Sequence, residues 1–404
     1  MKSIVIALIA GVSVSASVQP VLAADARHAK ETVVYSFMGG SDGFGPSANL
    51  IDVKGTLYST TQFGGSGSGG TVFALDPSTG AETVLYSFCS QQNCTDGELP
   101  SAGLIEVAGA LYGTTGLGGT DPYAGVAFAL DPNTGAETVL HSFGSGSDGV
   151  GPIGFIEVKG TLYGTTGGGG AYGYGTVFAL DPKTGAEQVL HSFGSGEDGR
   201  NPQGNLINVK GTLYGLTANG GAGGNVGGTA FAFDLKTGAE TVVYSFCRQP
   251  KCTDGWYPTA GMIEVKGNLY GVTQFGGASE FDDGTIFSLD TTTGAEKVVY
   301  SFCGQQNCTD GSFPAASLID VKDALYGTTV SGGGIKCKGD GCGIAFSVDP
   351  KTGAEQVLHH FCSAKSCTDG NTPYASLLDI KGTLYGTTAQ GGAYNEGTVF
   401  ALKP

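Results

Sequence analysis

Hydrophobic residues in this chain fall in short runs of four to six, set apart by Gly, Pro, Asp and Asn, and the runs recur in sets of four. In one set they occupy 155–158, 161–165, 176–180 and 188–193 and are rich in Val, Ile, Leu, Tyr and Phe. That pattern predicts β-strands between turns. Outside the N-terminus no window carries a sustained 3.6-residue apolar period flanked by helix caps. The set occurs seven times: Leu-Tyr-[Gly/Ser]-x-Thr begins at Leu57, Leu111, Leu162, Leu213, Leu269, Leu325 and Leu384, at intervals of 51 to 59 residues. A period of roughly 50 residues is too long for a helical solenoid and suits one four-stranded propeller blade.

The four strands are lettered A to D from the ring axis outward. A–B hairpins such as Val158-Lys159-Gly160-Thr161 and C–D turns such as Asp181-Pro182-Lys183-Thr184-Gly185 are short, with Pro presetting φ and Gly permitting φ > 0. The B–C connection is longer and Gly-rich, as at 167–175, and the D–A connection carries Asp-Gly-x-x-Pro. Alternation puts the tight turns on one face and the long connections on the other. On a rigid scaffold this second face, the loop face, is where binding concentrates. A D-like strand at 31–37 precedes the first A strand, and the last repeat stops at its C strand, 399–402. The leading strand is therefore expected to pair with 397–402, complete the last blade and remove the exposed sheet edges. The expectation is an all-β, seven-bladed β-propeller over 31–404 with four antiparallel strands per blade.

The N-terminus adds a secretory signal. Lys2 precedes an apolar core at 4–17, and Val21-Leu22-Ala23 meets the small-residue cleavage rule. Residues 1–23 are read as a leader and 24–30 as a short tail. No other stretch is long and apolar enough to span a bilayer, and no sorting tail follows Lys403-Pro404. The mature product is expected to be exported to the periplasm or the medium, soluble and monomeric. Net charge is −16 and becomes −17 without Lys2. With no basic stripe, such a surface excludes nucleic acid and anionic lipid as partners.

The ten cysteines form five pairs with four residues between members: Cys89/Cys94, Cys247/Cys252, Cys303/Cys308, Cys337/Cys342 and Cys362/Cys367. Four pairs fall in D–A connections. Phe88 to Asp96 spans eight positions where Phe143 to Asp148 spans five, and the three extra residues occur only where both cysteines do. A cross-link closing an enlarged loop accounts for that coupling, and export permits it. Zinc lacks nearby histidines and the usual shorter spacing.

Candidate chemistry is sparse. Asp42, Asp96, Asp148, Asp198, Asp254, Asp310 and Asp369 open the Asp-Gly-x-x-Pro elements. They are read first as turn residues, and second as a ring of calcium ligands, although one Asp per loop is thin for calcium. Strand A ends in Asp52, Glu106, Glu157, Asn208, Glu264, Asp320 and Asp379, expected to pair with hairpin lysines such as Lys54 and Lys159. His141, His191 and His359 replace Tyr35, Tyr86, Tyr244 and Tyr300 at one strand D position, so they are structural and make no triad. The Gly-rich loops lack the Lys and following helix of a phosphate loop, and no cofactor is expected. The two variable residues of Asp-Gly-x-x-Pro are more informative. In the fifth copy they are Trp256, the only tryptophan, and Tyr257, and the nearby B–C connection carries Phe275, Phe281, Asp282 and Asp283. Aromatic residues beside carboxylates on loops suit stacking on a sugar ring or anchoring a protein. Trp256 is equally suited to cap a seam between blades.

The phrases Gly160-Thr161-Leu162-Tyr163-Gly164-Thr165-Thr166 and Gly175-Thr176-Val177-Phe178-Ala179-Leu180, with the Asp-Gly-x-x-Pro loop, resemble the bacterial GloVer tandem repeat over nearly the whole mature chain. The resemblance implies an exported, propeller-like protein and carries no activity or catalytic residues. Many relatives end in a surface anchor, and none is expected on this chain. Two functions remain: a binding or scaffold propeller whose loop face takes a glycan or protein, and an exported lyase or glycoside hydrolase using loop-face carboxylates. The scarcity of His and the even repetition favour the first.

Overall fold

The computed structural model describes residues 29–144, 147–222, 224, 226–279, 282–334 and 342–404, so the expected leader lies outside the described residues. Seven antiparallel sheets form the blades of a β-propeller. Blade 1 comprises Ile51–Val53, Thr56–Thr61, Thr71–Leu75 and Glu82–Ser87. Blade 7 takes Leu378–Ile380, Thr383–Thr388 and Thr398–Lys403 from the end of the chain and Lys30–Ser36 from its beginning. Lys30 pairs with Lys403 and Ser36 with Thr398, so the ring closes through the expected strand.

The blades cohere through their seams. In the repeated Thr-Val-Phe-Ala-Leu of strand C, the central Phe is fully buried, and so is the Phe that ends strand D of the preceding blade, but for 4% of Phe361. The pairs Phe37–Phe73, Phe88–Phe128, Phe143–Phe178, Phe193–Phe231, Phe246–Phe287, Phe302–Phe346 and Phe361–Phe400 meet with ring centroids 4.9 to 5.2 Å apart at 59° to 70°. Such edge-on contacts contribute about 0.5–1.5 kcal/mol each beyond area burial. The same ring explains the Gly of Leu-Tyr-Gly: a Cβ on Gly113 would stand 2.5 Å from Cζ of Phe128. Every C–D ladder carries a bulge, and at five seams the Gly of the next blade's C–D turn packs on its carbonyl. At Gly185, whose φ is +70°, a Cβ would lie 2.1 Å from the carbonyl oxygen of Leu140, the bulge residue of the blade before. Both the left-handed backbone and the close approach require Gly there.

Strand A departs from the sequence expectation. The variable pair after Asp-Gly was expected in a loop, yet its first residue pairs across to the tail of strand B in every blade: Phe44 with Phe63, Glu98 with Leu117, Val150 with Gly168, Arg200 with Asn219, Trp256 with Phe275, Ser312 with Ser331 and Asn371 with Gln390. Blades 3 and 4 keep one continuous inner strand, Gly149–Val158 and Arg200–Val209. Blades 5 and 6 split it, into Trp256–Pro258 with Ile263–Val265 and Ser312–Pro314 with Ile319–Val321. The second variable residue has φ between 55° and 66° in all seven copies, and its N–H donates across the seam to the preceding blade's B–C connection, as from Tyr257 to Gly227 at 3.1 Å and from Phe313 to Asp283 at 2.9 Å. The element is a clasp between blades as much as a turn.

Removing residues 29–37 should lower the melting temperature markedly or cause aggregation, because it exposes the edge of Thr398–Lys403 and deletes Phe37 from a seam. Thermal unfolding followed by circular dichroism checks this, and an unchanged curve would show that the leading strand does not hold the ring.

Candidate functional site

The seven Asp-Gly-x-x-Pro carboxylates are buried and committed to local bonds. Tyr35, Tyr86, Tyr244 and Tyr300 donate to Asp42, Asp96, Asp254 and Asp310 at 2.8 to 2.9 Å. In the remaining blades His141, His191 and His359 lie 2.9, 3.2 and 3.4 Å from Asp148, Asp198 and Asp369. Backbone N–H groups of the same connection complete the shell, as Arg248 and Gln249 do for Asp254. The interchange of Tyr and His seen in the sequence is thus one of partners to a common Asp, hydrogen-bonded in His141 and His191 and at ion-pair distance in His359. His141, Asp148 and Glu187 come close enough to share an ion, but Asp148 already accepts from Gly149 N–H at 2.7 Å and pairs with His141.

Sequence reasoning missed the third member of each group. Glu31, Glu82, Glu137, Glu187, Glu240, Glu296 and Glu355 open strand D of each blade and face the Asp across the seam. The Oε1 of each is buried without a hydrogen-bond partner in the protein. Burial first, and the facing aspartate second in most of them, pushes these carboxyls up from the ordinary range to about 7, and Glu82 to about 8. The signal was present as the Glu of Thr-Gly-Ala-Glu in six of the seven copies, with Glu31 after Ala29-Lys30 in the other, but nothing in the sequence shows that it lies against the Asp of the preceding repeat.

Four disulfides join Cys89–Cys94, Cys247–Cys252, Cys303–Cys308 and Cys362–Cys367. Cys342 is also bonded, and its expected partner Cys337 lies outside the described residues. No described cysteine is free. Each of the four closes a D–A connection over a single 3-10 turn.

On the loop face of blade 5, Trp256 stacks on Phe275 at 4.5 Å and 23°, with Tyr257 edge-on to Phe275 at 5.8 Å. Phe275 reaches Phe313 of blade 6 at 5.5 Å, so the cluster bridges a seam. Trp256 and Phe275 belong to strands, not to the loops expected for them. Trp256 remains half-buried and lines a recess of about 660 Å³ together with Lys251, Thr253, Ser279 and Asp282. Cys252 also lines it, so one disulfide holds its wall. Asp282 is exposed. Asp283 is buried, accepts from Ser279 Oγ at 2.9 Å and offers its carbonyl to Phe313, which separates it from Asp282 in role. Phe281 lies outside the described residues.

A second recess, of about 240 Å³, sits on the ring axis. Its wall is drawn from the three residues after each Pro of Asp-Gly-x-x-Pro, all three in five blades, two in blade 7 and Ile153 alone in blade 3, with Ser47, Asn49, Gln203, Asn205, Thr259 and Ser376 among them. Apart from Ile153 and Tyr374, side chains there are small or neutral polar. The segment carries no titratable cluster, which is why it drew no notice in the sequence.

The strand A carboxylates lie at the opposite, turn face, and their expected lysine pairing is replaced. Asp52 accepts from the N–H of Gly55 at 2.7 Å, Glu106 from Gly109 at 2.5 Å, Asn208 from Gly211 at 2.9 Å and Asp379 from Gly382 at 2.8 Å. Glu157 and Glu264 do the same to Gly160 and Gly267. The intervening Lys54 and Lys159 take φ of 55° and 53°, and the short side chain or carboxylate before them caps the hairpin.

The Gloeobacter/Verrucomicrobia repeat matches the chain over 21–156, 153–339 and 305–404. None of the curated proteins matches it in sequence. Solved structures of similar fold include the extracellular domain of a putative hybrid two-component system from B. thetaiotaomicron (TM-score 0.59, 10% identity, 92% of this chain and 39% of that one). An oligogalacturonate lyase from Vibrio parahaemolyticus is similar at TM-score 0.54 and 10% identity over 94% of both chains. A chain of a mitotic checkpoint complex is similar at 0.55 and 11% over 98% of both. At such identities the likeness is one of fold alone. No helix among the described residues is long and apolar enough to cross a membrane.

The seam glutamates set a pH dependence. Their folded pKa of about 7 exceeds the unfolded 4.5, so their contribution is complete below the unfolded value and is lost as pH rises through the folded one. The melting temperature should fall by several degrees between pH 5 and pH 8. The triple change Glu137→Gln, Glu240→Gln and Glu296→Gln should flatten that slope. Calorimetry across the range measures both, and a slope of opposite sign would show that these carboxyls fold ionised.

Proposed function

Because the chain belongs to the Gloeobacter/Verrucomicrobia repeat family, a kinship that brings no activity with it, we propose its role from the loop face itself: an exported binding protein that holds a glycan against the aromatic recess of blade 5. The observation that carries this is Trp256. Its indole is backed on one side by Phe275 at 4.5 Å and stands half-buried in the wall of a recess whose other groups are an ammonium, hydroxyls and a carboxylate. A sugar ring presents the matching surfaces, an apolar face for the indole and hydroxyl edges for Lys251, Thr253, Ser279 and Asp282. Tyr257, edge-on to Phe275 at 5.8 Å, adds a second aromatic ring to the same cluster. The cross-linked cysteines agree with an oxidising compartment.

Catalysis by loop-face carboxylates has less to stand on. The repeated aspartates are occupied by seam hydrogen bonds, which leaves Asp282 as the exposed carboxylate of this recess. The fold it shares with an oligogalacturonate lyase hosts many unrelated functions.

A glycan array probed with the intact protein should return a carbohydrate class, and titration calorimetry should then show Trp256→Ala weakening it about tenfold, the stacking contribution plus lost burial. Circular dichroism should be unchanged, since the Trp256–Phe275 ladder needs only backbone. Binding of undiminished strength in the variant would move the site elsewhere, and release of product from the bound glycan would make the protein an enzyme.

A further inference from the structure

One position of the repeat, two places before strand C, is anchored by its carbonyl in every blade. That carbonyl accepts the clasp N–H of the following blade: Leu99 donates to Gly69 at 2.9 Å, Phe313 to Asp283 at 2.9 Å and Thr372 to Cys342 at 3.1 Å. The anchored backbone lays its side chain on the residue that follows the last Phe of strand D in the same blade. A Cβ on Gly144 would stand 2.6 Å from Cβ of Ala124, and one on Gly69 would stand 2.7 Å from Cβ of Cys89. In four blades that following residue is the first cysteine of a cross-linked connection: Cys89, Cys247, Cys303 or Cys362. The residues laid against them are Gly69, Gly227, Asp283 and Cys342.

Blade 5 thus sets a carboxylate against a disulfide, and blade 6 sets a sulfur there. The sulfurs of Cys342, Cys362 and Cys367 all lie within 4.8 Å of one another, as do a carboxylate oxygen of Asp283 and the sulfurs of Cys303 and Cys308. Cys342 is 3% exposed and shares one packed cluster with Phe361 and Cys362. Cys362 and Cys367 are half-buried. Disulfides exchange by attack of a thiolate on one of their sulfurs, and a thiolate held beside its target attacks without the entropy cost of an encounter.

We propose that Cys342, Cys362 and Cys367 form a thiol–disulfide exchange site, with Cys342 as the attacking group and a dithiol reductant as the co-reactant. Cys342 is itself cross-linked, so its own bond opens first. One sulfur of the dithiol attacks the partner of Cys342 and releases Cys342 as a thiolate. The second sulfur of the dithiol then displaces that partner as a thiol, and the reductant leaves as a disulfide with the two electrons given to the protein. Next, the electron pair on Cys342 forms a bond to Sγ of Cys362, the Cys362–Cys367 bond breaks, and Cys367 takes up a proton. This last step replaces one disulfide by another with no net oxidation or reduction. Its product ties the B–C connection of blade 6 to the connection that leads into blade 7. It also moves a thiol from a buried residue to a half-buried one. None of this depends on what binds at Trp256.

The test uses the full mature protein as wild type, as Cys337→Ser, and as Cys337→Ser combined with Cys367→Ser. Thiols are trapped with N-ethylmaleimide after timed incubation, and cross-linked peptides are mapped by mass spectrometry. In Cys337→Ser a Cys342–Cys362 peptide should form and label should appear on Cys367. The rate should rise at least about tenfold between pH 6 and pH 8, because the thiolate is the attacking form. In the double variant Cys342 and Cys362, each without its former partner, should join. Wild type given one equivalent of dithiothreitol should yield the same Cys342–Cys362 peptide, while Cys303–Cys308, faced by a carboxylate, yields no exchanged product. The wild-type arm decides if Cys337→Ser unfolds. The proposal is overturned if no Cys342–Cys362 peptide forms in the folded single variant or in the reduced wild type. Joining in the double variant alone would also overturn it, by showing adjacent sulfurs that do not exchange. Cross-links from Cys342 to cysteines of other blades in the wild type would count against it too, as scrambling of an unfolded chain.

Discussion

The seam between neighbouring blades is the contact on which this structure depends. A four-stranded sheet has two faces to cover, and among the described residues no α-helix covers them, so each blade buries its faces against the next. The edge-on meeting of a strand D Phe with the following strand C Phe occurs at every seam, including the one completed by Phe37. Several features of the repeat are consequences. The Gly or Ser after Leu-Tyr makes room for the ring; the Gly of the C–D turn makes room for a bulge carbonyl; Asp-Gly-x-x-Pro fastens one blade to the one before it. There is accordingly no single core but a circle of interfacial layers, each a cluster drawn from two blades.

That constraint also places the recesses. The clasp draws the variable pair into pairing with strand B, which raises Trp256 onto a rigid ladder and stacks it on Phe275. The chain released after the clasp's Pro then has only the axis to face. Small residues such as Ala260 and Ala316 let seven such segments converge without filling the centre. The two recesses therefore share one scaffold and differ in chemistry, aromatic and charged at blade 5, neutral and hydroxylic at the axis.

The blades, the closing strand and the cysteine pairs were legible because each is carried by spacing: a fifty-residue recurrence, a missing strand at one end with a spare at the other, an insertion that travels with two cysteines. The Tyr and His exchange in strand D was legible as an equivalence, though not its cause, since the shared acceptor Asp lies seven to ten residues on. What could not be read were relations across a seam. Glu137 gives no sign in the sequence of facing Asp96, and Ser47, Thr259 and Ser376 are ordinary residues until seven blades bring them round one axis. The strand pairing of Trp256 was hidden for another reason: Asp, Gly and Pro around it are turn residues, and they still are, but the turn is followed at once by a ladder.

The closure of the ring has a consequence for how the molecule forms. Lys30 and Lys403 are partners although nearly the whole chain lies between them. Joining ends over such a distance costs (3/2)RT ln n, about 5 kcal/mol for several hundred residues, and the contact can be made only after the last blade has been synthesised. Until then the first strand has no sheet to join, and Phe37 has only the blade 1 side of its seam to pack against. Blades in the middle of the chain can assemble on their neighbours as they appear, but the circle is completed by its earliest and latest residues together. Folding is thus gated by the arrival of the C-terminus, and a chain cut short by even its final strand has two open edges rather than a smaller ring.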